Sequence, residues 1–244
     1  MTLKTLPERR IPADHAALWN EGWYRHARAL ASPNFGPRPA SARVDLIVIH
    51  SISLPPGEFE NGNVQRLFTN QLDWDAHPYF QRIRGVQVSS HFFISRSGAL
   101  WQFVACQDRA WHAGDSCYRG RSNCNDDSIG IELEGLEGER FELPQYETLT
   151  ALCAALLQAC PIAHIAGHEH IAPGRKQDPG PGFDWPLLQA SLALPDQYFP
   201  DARAGCSDGQ KKVSSKPDLT RLCQHGQSLG AACRRFLAAN TDGA

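Results

Sequence analysis

The alternation of hydrophobic and polar positions predicts several short strands along the chain. Val44–Ile49 is a mostly aliphatic, β-branched run, and its short length favours a buried central strand over a helix. In Ile129–Gly135 apolar and polar residues alternate, so the two faces of this strand differ in character. Ser90–Ser95 and Ala99–Val104 flank a turn that contains a glycine, which predicts a hairpin. Ile162–Gly167 adds one further short strand.

Apolar residues spaced three and four positions apart predict helices around these strands. The predicted helices are Asp14–Leu30, Val64–Leu72, Tyr146–Cys160 and Trp185–Leu194. Asp14 is suited to cap the first of them, and the segments Ser32–Pro39 and Asp73–Phe80 are interpreted as loops. Strands and helices in this order indicate the α/β fold class.

Beyond Pro200 the composition changes, which predicts a domain boundary. Asp201–Ser215 is rich in small and charged residues and has the character of a linker. Within Leu219–Leu237 the apolar residues fall on one face at helical spacing, and the simplest role for such a helix is to pack back on the domain. We therefore assign residues 1–200 to one domain and residues 201–244 to a C-terminal linker and amphipathic helix of unknown function.

Composition and charge narrow the classes of partner. The 244 residues include 24 Lys and Arg and 26 Asp and Glu, a net charge of −2, so the total charge does not favour nucleic acid. The N-terminus has no apolar core of signal-peptide length, and no segment approaches the roughly 18 consecutive apolar residues of a membrane helix. We expect a cytoplasmic protein that is a monomer and has no membrane partner.

Eight cysteines are spread along the chain without any C-x-x-C spacing. A chain of this length does not depend on disulfides for a hydrophobic core. We therefore expect mostly free thiols.

The segment Ile165–Trp185 carries the densest set of chemically useful side chains. Its prolines and glycines exclude a long helix or a central strand, which predicts a shaped loop. Within it, His168 and Asp178 offer an imidazole and a carboxylate, two of the three protein ligands of a catalytic zinc site. A third ligand must come from elsewhere. A polar surface loop without a metal is the alternative interpretation.

Five further residues are candidates on the strands and in a loop. His50 follows the Val44–Ile49 strand, at the strand end where α/β sheets place ligands, although a lone histidine there is more often a satisfied polar group. Glu132 and Glu134 share the polar face of their strand, and the spacing does not choose between them. Trp111 and His112 are compatible with a substrate groove or with a half-buried ring beside a surface histidine.

Five longer motifs carry a resemblance to a known family. They read V-I-H-S-I-S-L-P-P-G-E-F, D-A-H-P-Y-F, R-A-W-H-A-G, C-N-D-D-S-I-G-I-E-L-E-G and G-H-E-H-I-A-P-G-R-K-Q-D-P-G-P-G-F-D-W. In order and spacing they resemble the cytosolic anhydromuramyl-L-alanine amidases of the AmpD type, zinc amidases related to the peptidoglycan recognition proteins. The resemblance runs from about Asp14 to Trp185 and does not cover the residues after Pro200. The fold that it implies is a central mixed sheet flanked by helices.

The resemblance also implies a cofactor and roles for individual residues. It implies one zinc ion per chain held by His50, His168 and Asp178, with Glu132 as the catalytic acid and base and Lys176 as the stabiliser of the oxyanion. The implied substrate is a muropeptide, cut between anhydro-N-acetylmuramic acid and L-alanine. Candidate substrate-binding residues are Ser51, Trp111, His112 and Arg175.

Some positions depart from the family pattern. Ser51 stands where asparagine is common, and Gln87 and Asn123 stand where arginines are common. These departures leave the metal chemistry untouched but change how the peptide carboxylates are held, for which Arg175 is a candidate. His170 is an extra imidazole that could compete for the metal. Two alternatives share the scaffold, namely a non-catalytic peptidoglycan-binding module and an amidase that acts on polymeric murein.

Overall fold

The fold is built on a six-stranded mixed sheet, seen in a computed structural model that describes residues 18–200. From one edge to the other the strands are β12 (His164–Gly167), β5 (Leu46–Ile52), β11 (Ser128–Glu134), β6 (Phe92–Ile94), β7 (Leu100–Gln102) and β3 (Arg28–Ala29). The four strands from β12 to β6 run parallel, whereas β6 and β7 form an antiparallel hairpin. The predicted central mixed sheet is therefore confirmed.

Within the described residues, three two-stranded ladders and five helices surround this sheet. The ladders pair β1 (Trp19–Asn20) with β2 (Trp23–Tyr24), β4 (Phe35–Gly36) with β8 (Arg109–Ala110), and β9 (Cys117–Tyr118) with β10 (Arg121–Ser122). The helices are α1 (Asn63–Phe68), α2 (Pro78–Arg82), α3 (Leu143–Ala159), α4 (His168–Ile171) and α5 (Trp185–Leu192). Two 3-10 turns, Cys124–Asp126 and Asp196–Tyr198, complete the described secondary structure. No helix within residues 18–200 is both long and apolar enough to cross a lipid bilayer.

The core lies mainly between the sheet and helix α3. Ile47, Ile49 and Ile131 project from the central strands towards Leu149 and Leu152 of α3, and all five are completely buried. The side chains on the other face of β5 pack against the loop that follows β8 and form a second buried cluster. Because the central strands are buried on both faces, the polar side chains at their carboxyl ends lie in a largely dry environment.

The predicted helix Asp14–Leu30 is wrong over its described part. From Trp19 onward the chain forms β1, β2 and β3, and Gly22 in the turn has a φ of 77°. Trp19 lies opposite Tyr24 in the ladder, with ring centroids 4.8 Å apart. The aromatic spacing that is compatible with a helix is here produced by cross-strand pairing.

Two predicted loops contain short helices. Pro78 begins α2 within the predicted loop Asp73–Phe80, and the His77 side chain caps this helix by accepting a hydrogen bond from the Tyr79 amide. Helix α4 lies within the segment Ile165–Trp185 and starts directly after β12. Proline at a helix start and a single turn of helix are both compatible with the breakers in these segments.

The remaining predictions concern cysteines and the C-terminus. Cys106, Cys124, Cys153 and Cys160 are free thiols, whereas Cys117 is disulfide-bonded. The expectation of mostly free thiols is thus confirmed for the described part of the chain. The predicted linker and helix after Pro200 lie outside the described residues.

Candidate metal centre and active site

The parallel strands bring the candidate residues to one edge of the sheet. In the register of β5 and β11, His50 lies directly beside Glu132, so both side chains project from the same face. On the other side of β5, Gly167 at the end of β12 pairs with Ile49, which places His168 next to His50. The amide of Glu169 donates a hydrogen bond of 2.8 Å to the Asp178 carbonyl and thereby draws the following loop towards α4.

His50, His168 and Asp178 form a tight cluster of three donor atoms. The Nδ1 atoms of the two histidines are 2.9 Å apart, and each lies 3.1 Å from Oδ2 of Asp178. Around a tetrahedral zinc with bonds of about 2.0–2.1 Å, neighbouring ligand atoms lie roughly 3.3 Å apart. The spacing and the donor types of these three residues therefore fit a small divalent cation.

The protonation states of this cluster also suit a cation. Burial lowers the pKa of His168 to about 4, so its ring is neutral near pH 7 and can offer a lone pair. Burial alone would raise the pKa of Asp178, but the rings of His168 and His50 hold it well below its ordinary value. The cluster therefore offers a neutral imidazole and an ionised carboxylate at neutral pH.

Glu132 and Glu134 have different environments although they share one face of β11. The Glu134 carboxylate accepts hydrogen bonds from the amides of Glu60 at 2.6 Å and Arg96 at 3.1 Å, so both its oxygens hold loops in place. Glu132 is 9% exposed and lines the cavity beside the cluster. Its buried Oε2 has no hydrogen-bond partner among residues 18–200. Of the two glutamates, only Glu132 has a carboxylate oxygen available for chemistry.

Burial gives Glu132 a proton affinity suited to acid and base work. Desolvation raises its pKa to about 7, an effect that His50 and Lys176 reduce and Asp178 increases. A carboxyl group with a pKa near the working pH can both accept and donate a proton. Lys176 is 8% exposed and lines the same cavity, and burial lowers the pKa of its ammonium group.

Some of the proposed substrate-binding residues line this cavity and one does not. Ser51, Trp111 and His112 lie in its wall, although His112 is buried and its ring contacts His50 through a hydrogen bond. Arg175 is not among the described residues that line this cavity. Its guanidinium instead donates a hydrogen bond of 2.6 Å to the Ala113 carbonyl. The sequence did not single out Phe68, Val88 and Ser89, which also line the cavity.

Three positions that depart from the family pattern, namely Gln87, Asn123 and His170, lie in different environments. Asn123 binds the Asp126 carboxylate and accepts a hydrogen bond from Arg109, and Gln87 is exposed. His170 lies outside the described donor cluster, since its Nδ1 accepts a hydrogen bond from the Gly167 amide. Its ring also packs against Trp185. These contacts indicate that His170 stabilises the first turn of α4.

The raised pKa of Glu132 predicts a pH-dependent difference in stability between the metal-free wild type and Glu132→Gln. A raised carboxyl pKa stabilises the fold below the unfolded pKa of about 4.5, and this contribution is lost as the pH rises through about 7. Glutamine does not ionise. Measured by denaturant unfolding in chelator, the stability of the variant relative to wild type should therefore increase by about 3 kcal/mol between pH 4.5 and pH 8.

The matched control for this measurement is Glu147→Gln, because Glu147 is exposed on helix α3. Because solvent screens a surface glutamate, its replacement should change the stability far less than the replacement of Glu132 does. An equally small change for Glu132→Gln would contradict the burial argument.

Comparisons with known proteins agree with this geometry. A family model described as N-acetylmuramoyl-L-alanine amidase matches residues 40–181. The 1,6-anhydro-N-acetylmuramyl-L-alanine amidase AmpD of Citrobacter freundii is 47% identical over 183 residues, which cover 74% of this chain and 97% of that protein. The protein of the same name from Salmonella typhimurium is 46% identical over 177 residues, or 72% of this chain and 95% of that protein.

Solved structures give the same result. A crystal structure of a selenomethionine derivative of AmpD superimposes with a TM-score of 0.70 at 47% identity, and the match covers 72% of this chain and 99% of that chain. The matched range, residues 40–181, contains the positions of His50, Glu132, His168 and Asp178. On this combined similarity of sequence and fold, the chain belongs to the N-acetylmuramoyl-L-alanine amidase family.

Proposed function

We propose that this protein is a zinc-dependent amidase that hydrolyses the bond between anhydro-N-acetylmuramic acid and L-alanine in muropeptides, as part of peptidoglycan recycling. The observation that carries the proposal is the pairing of Glu132 with His50, beside the donor cluster that His50 forms with His168 and Asp178. The relatives named for this activity support the choice of substrate. We propose that the enzyme acts in the cytoplasm, where soluble fragments are recycled. We also propose that its amidase domain ends near Pro200.

In this proposal five residues of the cavity have defined tasks, namely the three clustered donors, Glu132 and Lys176. His50, His168 and Asp178 would hold one zinc ion. A zinc with three protein ligands supplies a Lewis acid and lowers the pKa of a bound water to about 7. The Glu132 carboxylate accepts the proton that the attacking water loses as its oxygen bonds to the lactyl carbonyl carbon. Glu132 then donates this proton to the L-alanine nitrogen as the C–N bond breaks.

Lys176 stabilises the charge that develops during this reaction. Attack on the carbonyl carbon places negative charge on the carbonyl oxygen, and a buried ammonium group in the same cavity interacts with such charge more strongly than in water. The products are the free lactyl carboxylic acid and the amino group of L-alanine. A pure peptidoglycan-binding module would have no use for a buried, proton-accepting Glu132.

Mass spectrometry of the products from defined muropeptides tests the proposal. We expect the holoenzyme to release intact stem peptides from soluble anhydromuropeptides, and to do so faster than from purified sacculi. Tripeptide and dipeptide substrates should differ little, because Gln87 and Asn123 replace the arginines that are common in the family. Faster release from sacculi would favour the amidase that acts on polymeric murein, and unchanged substrate in every case would favour the binding module.

A further inference from the structure

A chain of buried hydrogen bonds leads from a backbone carbonyl to His50. Ser128 donates its only hydroxyl hydrogen to the carbonyl oxygen of Cys124, which can only accept. The Ser128 oxygen lies 3.2 Å from Nε2 of His112, so at this contact it must accept a hydrogen from the ring. Nε2 of His112 therefore carries the ring hydrogen, and Nδ1 carries a lone pair.

The same reasoning extends to the donor cluster. Nδ1 of His112 lies 2.9 Å from Nε2 of His50, and a ring nitrogen with a lone pair can only accept there. Nε2 of His50 is then the protonated nitrogen. The lone pair of His50 consequently lies on Nδ1, the atom that faces His168 and Asp178.

The segment that carries His112 is itself fixed in place. The amides of His112 and Ala113 both donate to Oδ1 of Asn125, at 3.0 and 2.8 Å. Gly130 on β11 leaves room for the ring, since a Cβ atom there would lie 2.5 Å from Cγ of His112. Nε2 of His168 lies 2.9 Å from the Ala113 carbonyl, which can only accept, and 3.3 Å from a guanidinium nitrogen of Arg175, which can only donate. The shorter contact favours a hydrogen on Nε2, which leaves the His168 lone pair on Nδ1.

We infer that His112 is a positioning residue, which holds the ring of His50 in the tautomer whose Nδ1 faces the donor cluster, while the carbonyl of the adjacent Ala113 does the same for His168. This inference deepens the proposed function and rests on it for the identity of the ion. Two consecutive residues thereby orient both imidazoles of the centre. Partners of this kind typically change metal affinity by roughly 10- to 100-fold when they are removed.

Two variants of similar side-chain shape separate the effect of the hydrogen-bond acceptor at Nδ1 of His112 from the effect of side-chain size. His112→Asn places an amide oxygen near the position of Nδ1, whereas His112→Leu has a similar shape and no acceptor. We expect zinc affinity, measured with Zn²⁺ alone against a competing chelator, to stay within about threefold of wild type in His112→Asn and to fall roughly 10- to 100-fold in His112→Leu. Ser128→Ala removes the hydroxyl group that fixes the His112 ring, and it should therefore also lower the zinc affinity.

Nuclear magnetic resonance of the metal-free protein provides an independent measurement. In protein labelled with ¹⁵N-histidine, long-range ¹⁵N–¹H correlations should show His50 protonated on Nε2 in wild type and in His112→Asn, and a mixture of tautomers in His112→Leu and Ser128→Ala. This measurement decides the inference even where the wild type binds no zinc and the proposed function fails. A single Nε2-protonated tautomer in all four proteins would overturn the inference, as would equal zinc affinity in the asparagine and leucine variants.

Discussion

Glu132→Gln is expected to retain zinc and to lose at least about a hundredfold in kcat, because positioned proton transfer typically contributes roughly 10²–10⁴ to the rate. Glutamine has nearly the same shape as glutamate and remains polar, but it cannot carry a proton between water and the departing amine. Glu132 lies in the cavity and is not one of the three clustered donors, so its replacement leaves the proposed ligand set intact. Initial rates on an anhydromuropeptide and the zinc content of the same sample provide the measurement.

Glu134→Gln is the matched control for this prediction. It changes the same residue type on the same strand face, but at a carboxylate that holds the amides of Glu60 and Arg96. Loss of one charged acceptor should lower stability by roughly 1.5–3 kcal/mol and leave kcat within a few-fold of wild type. If Glu134→Gln abolished turnover and Glu132→Gln did not, the catalytic role would belong to the other glutamate.

The sequence predicted those parts of the fold whose signal is local. Strands β5 and β11 and helix α3 each bury a continuous apolar face, so their residue patterns are sufficient to indicate their structure. The segment from Trp19 to Tyr24 was predicted incorrectly because its aromatic residues pair across a ladder. That pairing depends on a turn with positive φ at Glu21 and Gly22, and helical periodicity does not detect such a turn.

In the candidate site, too, local sequence signals predicted some features, whereas others depend on contacts between distant residues. Residue types and family resemblance were enough to select His50, His168 and Asp178, and the structure brings these three together. The residue pattern did not distinguish Glu132 from Glu134, and only the family resemblance selected Glu132. The structure distinguishes them because the Glu134 carboxylate accepts hydrogen bonds from residues more than 30 positions away in the sequence. The link between His112 and Ser128 likewise joins a loop to a strand and exists only because the sheet packs against that loop.

Asp178→Ala is expected to lower zinc affinity by more than about a hundredfold and to abolish measurable turnover, a larger effect than the loss of a partner outside the ligand set. The carboxylate contributes the single negative charge of the donor cluster, and its pKa is held well below its ordinary value by the neighbouring imidazoles. Removing it leaves two imidazole ligands without a negative charge to offset that of a divalent cation. Zinc content after dialysis, together with rates at a fixed concentration of free zinc, measures both consequences.

A matched pair on helix α4 extends this prediction to the histidines. His168→Asn removes a clustered donor, whereas His170→Asn changes an imidazole two residues away and retains an oxygen that can accept the Gly167 amide. We expect the His168 variant to lose zinc and the His170 variant to bind it as wild type does. Equal zinc loss in both would show that His170 also takes part in binding the ion. Full activity of the wild type after exhaustive chelation would contradict the zinc site itself, since the proposed hydrolysis depends on an ion that His50, His168 and Asp178 are proposed to hold.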